Sequence, residues 1–328
     1  MVNEIEQHLS EQKAVLSAAV KKDHTLAASV LVSSIILAGA WIYTAESTVG
    51  FAPGRGETDL SKLEEEVLPS KGVLLPVTWD DLGVKLVNEG VIDAEKFRTI
   101  YAERDSFTDE YSDLLLENNN GKMTITADNS GYLLNLFWAL GLANKNRILD
   151  EGEMTNPAYG GAENFASTAG WTIARGDAME HYSRHAFIAL TAEQQVLVEK
   201  VAKGIYRQCC GNSTIFPDCN HGMAMLGLLE LMASQGVSEK DMWETALAVN
   251  AYWFPDNYLT IATYMKGRGV EWSKVDPQEI LGADYSSSRG YANIAAETAA
   301  SSRKQNGSGC SLEDQPGERG RQQVGCGI

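Results

Sequence analysis

Proline, sequence repeats and positive charge are all scarce in this 328-residue chain. Its eight prolines are scattered, which excludes a proline-rich stalk, and the lack of repeats excludes a solenoid or a propeller. The 27 lysines and arginines are outnumbered by 44 aspartates and glutamates, so the formal net charge is −17. Because an acidic chain without a basic stripe repels polyphosphate, we expect no binding to nucleic acid.

Several motifs of well-known enzyme classes are also missing. The chain has no G-x-G-x-x-G or G-K-[ST] phosphate loop and no G-x-S-x-G nucleophile elbow. His181 and His185 have the spacing of a zinc-protease motif, but Tyr182 stands where such proteases have the glutamate that acts as general base. These absences leave open whether the protein is an enzyme.

One long apolar segment lies near the amino terminus. Residues 25–45 form a run of 21 residues without a charge, which is long enough for a helix that spans a bilayer. Trp41 and Tyr43 would lie at the membrane interface, and a pair of lysines precedes the run. The positive-inside rule places residues 1–24 in the cytoplasm and the rest of the chain outside. The sequence therefore predicts a single-pass membrane protein with an extracytoplasmic C-terminal domain.

A cleaved signal peptide is the alternative interpretation of the same segment. Ala38-Gly39-Ala40 resembles a cleavage site, and cleavage near Ala40 would release a secreted protein. However, residues 1–24 are long and contain glutamates, unlike a short basic leader, and the apolar run exceeds the usual length. We therefore favour a signal-anchor. Both interpretations export the domain.

The composition divides the remaining chain into three parts. Residues 46–76 contain helix-breaking glycines and prolines, and they are predicted to form a juxtamembrane connector with one short acidic helix. Residues 77–283 hold most of the apolar helical patterns and are predicted to form a globular domain. Residues 284–328 are polar, with few large apolar side chains, so we expect a disordered, flexible tail.

Helical periodicity dominates the predicted globular domain. Residues 131–143 are apolar on nearly all sides, which indicates a buried helix. Residues 123–126 alternate in polarity and could form a strand at an edge. Further helices are predicted at 178–187, 192–208, 221–234, 239–253 and 257–266. The predicted fold class is mainly α: an N-terminal transmembrane helix, a multi-helix globular extracytoplasmic domain and a disordered C-terminal tail.

All five cysteines follow the predicted membrane segment: Cys209, Cys210, Cys219, Cys310 and Cys326. Thiols outside the cytoplasm normally oxidise. We expect one structural disulfide between Cys219 and either Cys209 or Cys210, and a second is feasible between Cys310 and Cys326. The odd number leaves at least one cysteine as a free thiol, a metal ligand or an interchain bridge.

Three of the five histidines lie near the first three cysteines in the sequence. If Asp177 caps a helix, His181 and His185 project from one face with a spacing that suits two ligands of one ion. Cys219 and His221 lie at the start of the next apolar helix, where the helix dipole favours a thiolate. The sequence therefore suggests a metal site of these four residues, with zinc or copper as the ion. The alternative is a structural disulfide beside histidines that only form hydrogen bonds.

The apolar helix that follows His221 contains two further features. Glu230 is its one acid, and an ion pair or an exposed helix edge is the expected explanation, although a buried carboxylate with a raised pKa could act as a general base. Three methionines could offer thioethers to copper, but residues on such an apolar stripe usually fill a core: Met223, Met225 and Met232.

Two functions are compatible with these features. The first is a non-catalytic interaction domain of the cell envelope or surface, anchored in the membrane, stabilised by a disulfide and bound to a protein or envelope partner. We favour this first function, because a tethered domain with aromatic-rich helices suits an interaction role. The second is a metal-binding or thiol-redox protein that uses a cluster of His181, His185, Cys209, Cys210, Cys219 and His221.

Overall fold

Helices form most of the structure, a computed structural model that describes residues 55–102 and 107–306. The mainly helical character predicted from the sequence is confirmed. The α-helices are α1 (Arg55–Val67), α2 (Leu82–Asn88), α3 (Ala94–Ala102), α4 (Asp109–Leu116), α5 (Ser130–Ala143), α6 (Arg147–Glu151), α7 (Ala166–Ala169), α8 (Ala192–Gly204), α9 (Asn220–Ser234), α10 (Glu239–Trp253), α11 (Pro255–Gly267), α12 (Pro277–Leu281), α13 (Ala283–Ser286) and α14 (Ser288–Asn306). Short 3₁₀ turns lie at Glu153–Thr155, Pro157–Tyr159, Ala162–Asn164, Ala178–Glu180 and Trp272–Lys274.

A two-stranded antiparallel sheet accompanies the helices. Strand β1 (Val73–Asp80) pairs in antiparallel register with β2 (Asn120–Ile125). The sequence predicts only the second strand, because Pro76 interrupts the alternation of β1 and cannot donate a ladder hydrogen bond. The register shifts around this proline, which lets the strand continue. Alternate residues of β1 are fully buried in the core: Leu75, Val77 and Trp79.

The centre of the core is the contact between α5 and α9. The predicted buried helix at 131–143 is confirmed, since nearly every residue of α5 is buried. The two helices approach closely at Gly141 and Gly227, where an added Cβ would clash with backbone atoms of the facing helix. Only glycine permits this separation, and the close approach fixes the position of α9 in the fold.

Polar side chains begin the helices that surround this core. Thr191 starts α8 with a capping box that Gln194 completes, and Ser238 caps α10 through the backbone N–H of Asp241. Both starts agree with the sequence prediction. Helix α9 begins at Asn220, one residue earlier than the predicted start at 221, and the Cys219 sulfur caps it.

The described residues from Asp59 onward belong to one compact unit. Helix α1 and strand β1 fall largely within the predicted connector 46–76, and they contribute buried side chains to the core of this unit. Leu63 and Val67 pack there from α1. This part of the predicted connector is therefore packed against the core.

The predicted helix at 178–187 is wrong. Only the 3₁₀ turn Ala178–Glu180 forms, with the Asp177 carboxylate as its cap. The chain then turns at Ser183, whose φ of 50° lies in the left-handed region. This turn directs the backbone N–H groups of Ser183 and His185 to two carbonyl oxygens in the last turn of α5. Those carbonyls have no partner within their own helix, so satisfying them favours the turn over a continuous helix.

The predictions of a membrane-anchored fold and an extracytoplasmic localisation require correction. The segment 25–45 and the cleavage site near Ala40 lie outside the described residues. In the two described ranges, no helix is both long and apolar enough to cross a bilayer. Helix α14 is long but polar, whereas the strongly apolar α5 has only 14 residues, and a span needs about 20.

The predicted disordered tail is also wrong for its first part. Residues 283–286 form α13, and α14 continues from Ser288 to Asn306. Ile294 on α14 is buried in the core, so a few apolar contacts are enough to order this polar helix. Residues 307–328 lie outside the described ranges.

Candidate metal centre

The loop between α8 and α9 brings three cysteines to one place. Residues 205–219 turn back on themselves, and Tyr206 and Ser213 pair as an isolated antiparallel bridge. Cys209 and Cys210 lie between the two bridged residues, while Cys219 is the last residue of the loop, directly before α9. The three thiols meet because the bridge folds the first part of the loop over the start of the helix.

The sulfur atoms lie close together but are not bonded. The distance from Cys219 Sγ to Cys209 Sγ is 3.5 Å, and that to Cys210 Sγ is 3.9 Å. A disulfide has a bond of about 2.05 Å, so the predicted bridge from Cys219 is wrong and all three residues are free thiols. Cys310 and Cys326, the other predicted pair, lie outside the described residues.

His221 joins the thiols from the first turn of α9. Its donor nitrogen lies within 4.8 Å of the sulfurs of Cys209 and Cys219. The imidazole packs against Phe254, with ring centroids 4.4 Å apart, and against the edge of Trp253. Its Nδ1 atom is buried without a hydrogen-bond partner. The ring that lies beside the thiols of Cys209 and Cys219 thus has a buried nitrogen without a partner, and such an atom calls for an explanation such as an ion or a water.

A buried arginine lies against the same thiols. The Arg207 side chain is fully buried, and its Nη2 donates to Asp218 Oδ1 over 2.9 Å and to Cys219 Sγ over 3.4 Å. Its Nε and Nη1 are buried without a partner. Gly222 makes room for the guanidinium, since a Cβ at this position would clash with it. The Nε and Nη1 groups of Arg207 are therefore available to donate hydrogen bonds to further negatively charged atoms.

The surroundings set the protonation of the ligand candidates. The thiols of Cys209 and Cys210 donate to Cys219, and together with Arg207 they hold its pKa well below the usual value, although burial opposes this shift. A backbone N–H of the first turn of α9 also donates to its sulfur over 3.4 Å. Burial lowers the pKa of His221 to about 4. These shifts favour the thiolate of Cys219 and the neutral imidazole of His221, the forms that bind metals.

The predicted ligand set is brought together only in part. Neither His181 nor His185 belongs to a set of three potential ligands within 4.8 Å of one another in the described ranges. The two histidines instead lie beside each other, with 3.2 Å between His181 Nδ1 and His185 Nε2. Burial, followed by the neighbouring His181, lowers the pKa of His185. The sets that do converge are Cys209, Cys219 and His221, and Cys210, Asp218 and Cys219.

Farther along α9, Glu230 belongs to a separate polar network. Its carboxylate is fully buried and accepts from Asn144 Nδ2 over 3.0 Å and from Asn146 Nδ2 over 2.5 Å. Burial raises its pKa well above the usual value. The expected ion pair or exposed edge is therefore replaced by two amide donors. The methionines of α9 fill the core, as the sequence suggests: Met223, Met225 and Met232.

Arg207 and Asp218 are two residues of the cluster that the sequence does not predict. Charged residues are normally assigned to the surface, and burial of an arginine depends on the folded loop. The available signal is proximity along the chain, because Arg207 lies two residues before Cys209 and Asp218 directly precedes Cys219.

The assembled pocket holds three thiols, an imidazole, a guanidinium and a carboxylate. Such a set can bind a thiophilic metal ion or exchange thiols with disulfides. Comparison with known proteins does not decide between these chemistries: no protein-family model matches the chain, and no curated protein or solved structure is similar to it.

Proposed function

We propose that the protein binds a zinc ion through Cys209, Cys219 and His221, with Cys210 as the fourth ligand. The observation that carries this proposal is the convergence of the ligand atoms of Cys209, Cys219 and His221 within 4.8 Å of one another, with Cys210 Sγ 3.9 Å from Cys219 Sγ. Two thiolates on a tetrahedral zinc ion with Zn–S bonds of about 2.3 Å lie about 3.8 Å apart. The separations of 3.5 and 3.9 Å from Cys219 Sγ are close to this value.

The charges around the thiols support the same assignment. Three thiolates and one imidazole around Zn²⁺ leave one net negative charge. Arg207 lies beside these sulfurs and has two buried N–H donors without partners. Donation from a neighbouring cation stabilises thiolate ligands, and Asp218 orients this cation through its ion pair. Arg207 and Asp218 therefore act as supporting residues behind the ligands.

Zinc fits the ligands better than copper. Three cysteines and one histidine form one of the common structural zinc sets. Copper(I) would be favoured by thioether ligands, but the methionines of α9 are buried in the hydrophobic core. A closed set of four protein ligands suits a structural or storage role, in which the ion ties the loop at 205–219 to the start of α9.

Metal analysis of the purified full chain tests the proposal. With a reductant present, we expect one tightly bound zinc ion per chain, and Co²⁺ in its place should give the near-ultraviolet absorption of cobalt thiolates. Cys209→Ser and Cys219→Ser should each lose this ion. Cys310→Ser and Cys326→Ser are matched controls and should retain it. A wild-type chain that binds neither zinc nor cobalt tightly would exclude the proposal.

Thiol–disulfide exchange is the second candidate function. It is favoured by the lowered pKa of Cys219 and by the distance of 3.5 Å to Cys209 Sγ. In this reaction the Cys219 thiolate attacks a disulfide substrate and releases one thiolate, and the Cys209 thiol then displaces the second as the intramolecular disulfide forms. Against this function, Cys219 is only 7% exposed, which restricts access by a substrate.

The two functions predict different behaviour in glutathione buffers. A redox protein should form the disulfide between Cys209 and Cys219 reversibly, with a measurable potential, and should bind no zinc. A zinc protein should resist oxidation until a chelator removes the ion. Mass spectrometry of alkylated thiols, with and without chelator, distinguishes these outcomes.

A further inference from the structure

We propose that His181 and His185 form a second, exchangeable site for a divalent transition-metal ion, separate from the cysteine cluster. The two imidazoles lie in the loop that follows α7, beside the end of α2, and they share no ligand with the proposed zinc centre. The proposal stands on the geometry of this pair and on the groups that hold it.

The two facing nitrogens have the separation that a shared ion requires. His181 Nδ1 and His185 Nε2 are 3.2 Å apart, and the ring centroids are 5.4 Å apart with an interplanar angle of 24°. The nitrogens therefore point toward each other, close to the planes of both rings. Two imidazole nitrogens on tetrahedral zinc, with Zn–N bonds of about 2.0 Å, lie about 3.3 Å apart.

The outward nitrogens of both rings face groups that accept hydrogen bonds. His181 Nε2 lies 3.0 Å from the carbonyl oxygen of Arg175, so this nitrogen carries the hydrogen. His185 Nδ1 lies 3.6 Å from Glu89 Oε2, and the carboxylate favours a hydrogen on that nitrogen. With a hydrogen on each outward nitrogen, the facing nitrogens of the neutral rings present lone pairs to an ion. Histidines that bind metals typically have their other N–H oriented in this way by a carbonyl or a carboxylate.

The backbone fixes the two rings in this arrangement. Ser183 lies midway between them in the left-handed region, which is unfavourable for a residue with a side chain. Its backbone N–H and that of His185 donate to α5, and the His185 carbonyl accepts from Lys145. The His185 ring also stacks on Phe187, at 5.1 Å between centroids. The pair is therefore positioned before any ion binds.

The His185 side of the pair borders solvent, whereas His181 is buried. His185 lines an open cleft of about 450 Å³ together with Glu89, Arg184 and Phe187. Two protein nitrogens leave coordination positions for water or for a small anionic ligand. Imidazole ligands suit zinc, copper(II), nickel and cobalt alike. We therefore assign the site to this class of ion, with zinc as the probe.

Zinc titration of the metal-free, reduced full chain tests the proposal. Calorimetry should show a tight binding event and a weaker second event. His181→Ala and His185→Ala should each weaken the second event at least tenfold, whereas Cys209→Ser should remove only the tight one. His24→Ala, a histidine far from the pair in sequence, is the control and should leave both events unchanged. Glu89→Gln should weaken the second event by about tenfold, since it removes the carboxylate that orients His185.

Nitrogen NMR of the imidazole rings gives a readout that needs no variant. Zinc should shift His181 Nδ1 and His185 Nε2, while the outward nitrogens remain protonated. If the rings do not respond and no second event is seen, the pair is only a hydrogen bond between histidines and the proposal is overturned. If the wild-type chain shows the weaker event but no tight event, the cysteine site is excluded and the histidine site is not. The two proposals can therefore fail separately.

Discussion

Helix α9 has a buried polar group near each end, and the two differ in one respect. Near its end, both carboxylate oxygens of Glu230 accept hydrogen bonds from asparagine side chains. At its start, His221 Nδ1 and two N–H groups of Arg207 are buried without partners. Unpartnered buried polar groups are costly. The carboxylate of Glu230 has its partners within the fold, whereas polar atoms of the cysteine cluster have none there.

The Glu230 network also holds other segments in place. Asn144 Oδ1 accepts from the backbone of Ile188, and Asn146 Oδ1 accepts from Ile148 and from Gln195 Nε2. Each asparagine therefore uses both ends of its amide, so its orientation is fixed. A network with every member satisfied makes the fold rigid and offers no open position to a ligand. This difference is consistent with a structural role for the Glu230 end of α9 and with the binding role that we propose for its start.

The largest expected effect is that of zinc on stability. An ion that binds only the folded state at about 1,000 times its Kd adds about 4 kcal/mol to the free energy of unfolding. Urea unfolding with zinc and with chelator measures this increment. Cys219→Ser should lose it. A Glu230→Ala chain should keep it, because Glu230 is no part of the ligand set. An increment of equal size in Cys219→Ser would contradict the proposed centre.

Next in size is the cost of removing the complete network. Glu230→Ala leaves the Nδ2 groups of Asn144 and Asn146 buried without acceptors and should lower the free energy of unfolding by about 3 kcal/mol. The loss should be the same with zinc and with chelator. Glu244→Ala, at an exposed glutamate paired with Lys240, is the control and should cost less than about 1 kcal/mol. A loss that depends on zinc would mean that the two ends of α9 are coupled.

The sequence predicts the apolar frame of the fold more completely than its polar sites. The periodicity of α5 and α9 and the cap at Thr191 are readable because each depends on neighbouring residues. Strand β1 escapes prediction because Pro76 breaks its pattern and because its partner lies about 40 residues away. Local sequence signals thus identify helices, whereas the pairing of distant strands can be seen only in the folded structure.

The same distinction explains the sites. Cys219 and His221 are neighbours in sequence, so their proximity is predictable. His181 and His185 lie apart from the cysteines because the backbone of their loop is hydrogen-bonded to the end of α5, a contact that the sequence does not reveal. The predicted disulfide follows from an assumed oxidising location, whereas the sulfurs of Cys209, Cys210 and Cys219 are not bonded. Burial of Arg207 has no local signature, because arginines usually lie on the surface.

The two ends of α9 should also respond oppositely to pH. Burial lowers the pKa of His221 from 6.5 to about 4, so between these values the unfolded chain binds more protons and stability falls as the pH decreases. From pH 6.5 to 5 this contribution amounts to about 2 kcal/mol in the metal-free chain. The pKa of Glu230 is raised, so its effect on stability is opposite. The folded chain binds the proton of Glu230 more readily than the unfolded chain, and stability increases as the pH falls toward 4.5.

Matched variants separate these contributions. The difference in unfolding free energy between the wild type and His221→Asn, measured in chelator, should shrink as the pH is lowered from 6.5 to 5. The same comparison with Glu230→Gln should show the reverse trend. A difference for His221→Asn that does not change with pH would show that the imidazole titrates normally and is not buried in the metal-free chain.

The smallest expected effect concerns the space for Arg207. In Gly222→Ala the new Cβ would collide with the guanidinium and move it away from Cys219 Sγ. Disturbing a residue that hydrogen-bonds to a metal ligand typically lowers the metal affinity by about tenfold, or about 1.4 kcal/mol. Competition with a chromophoric chelator measures this change. Gly211→Ala is the matched control in the same loop, where an added Cβ meets no atom within 4 Å, and zinc affinity should be unchanged there. Equal zinc affinity in both variants would show that Arg207 does not support the thiolates. The four proposed ligands alone would then distinguish the start of α9 from the Glu230 end.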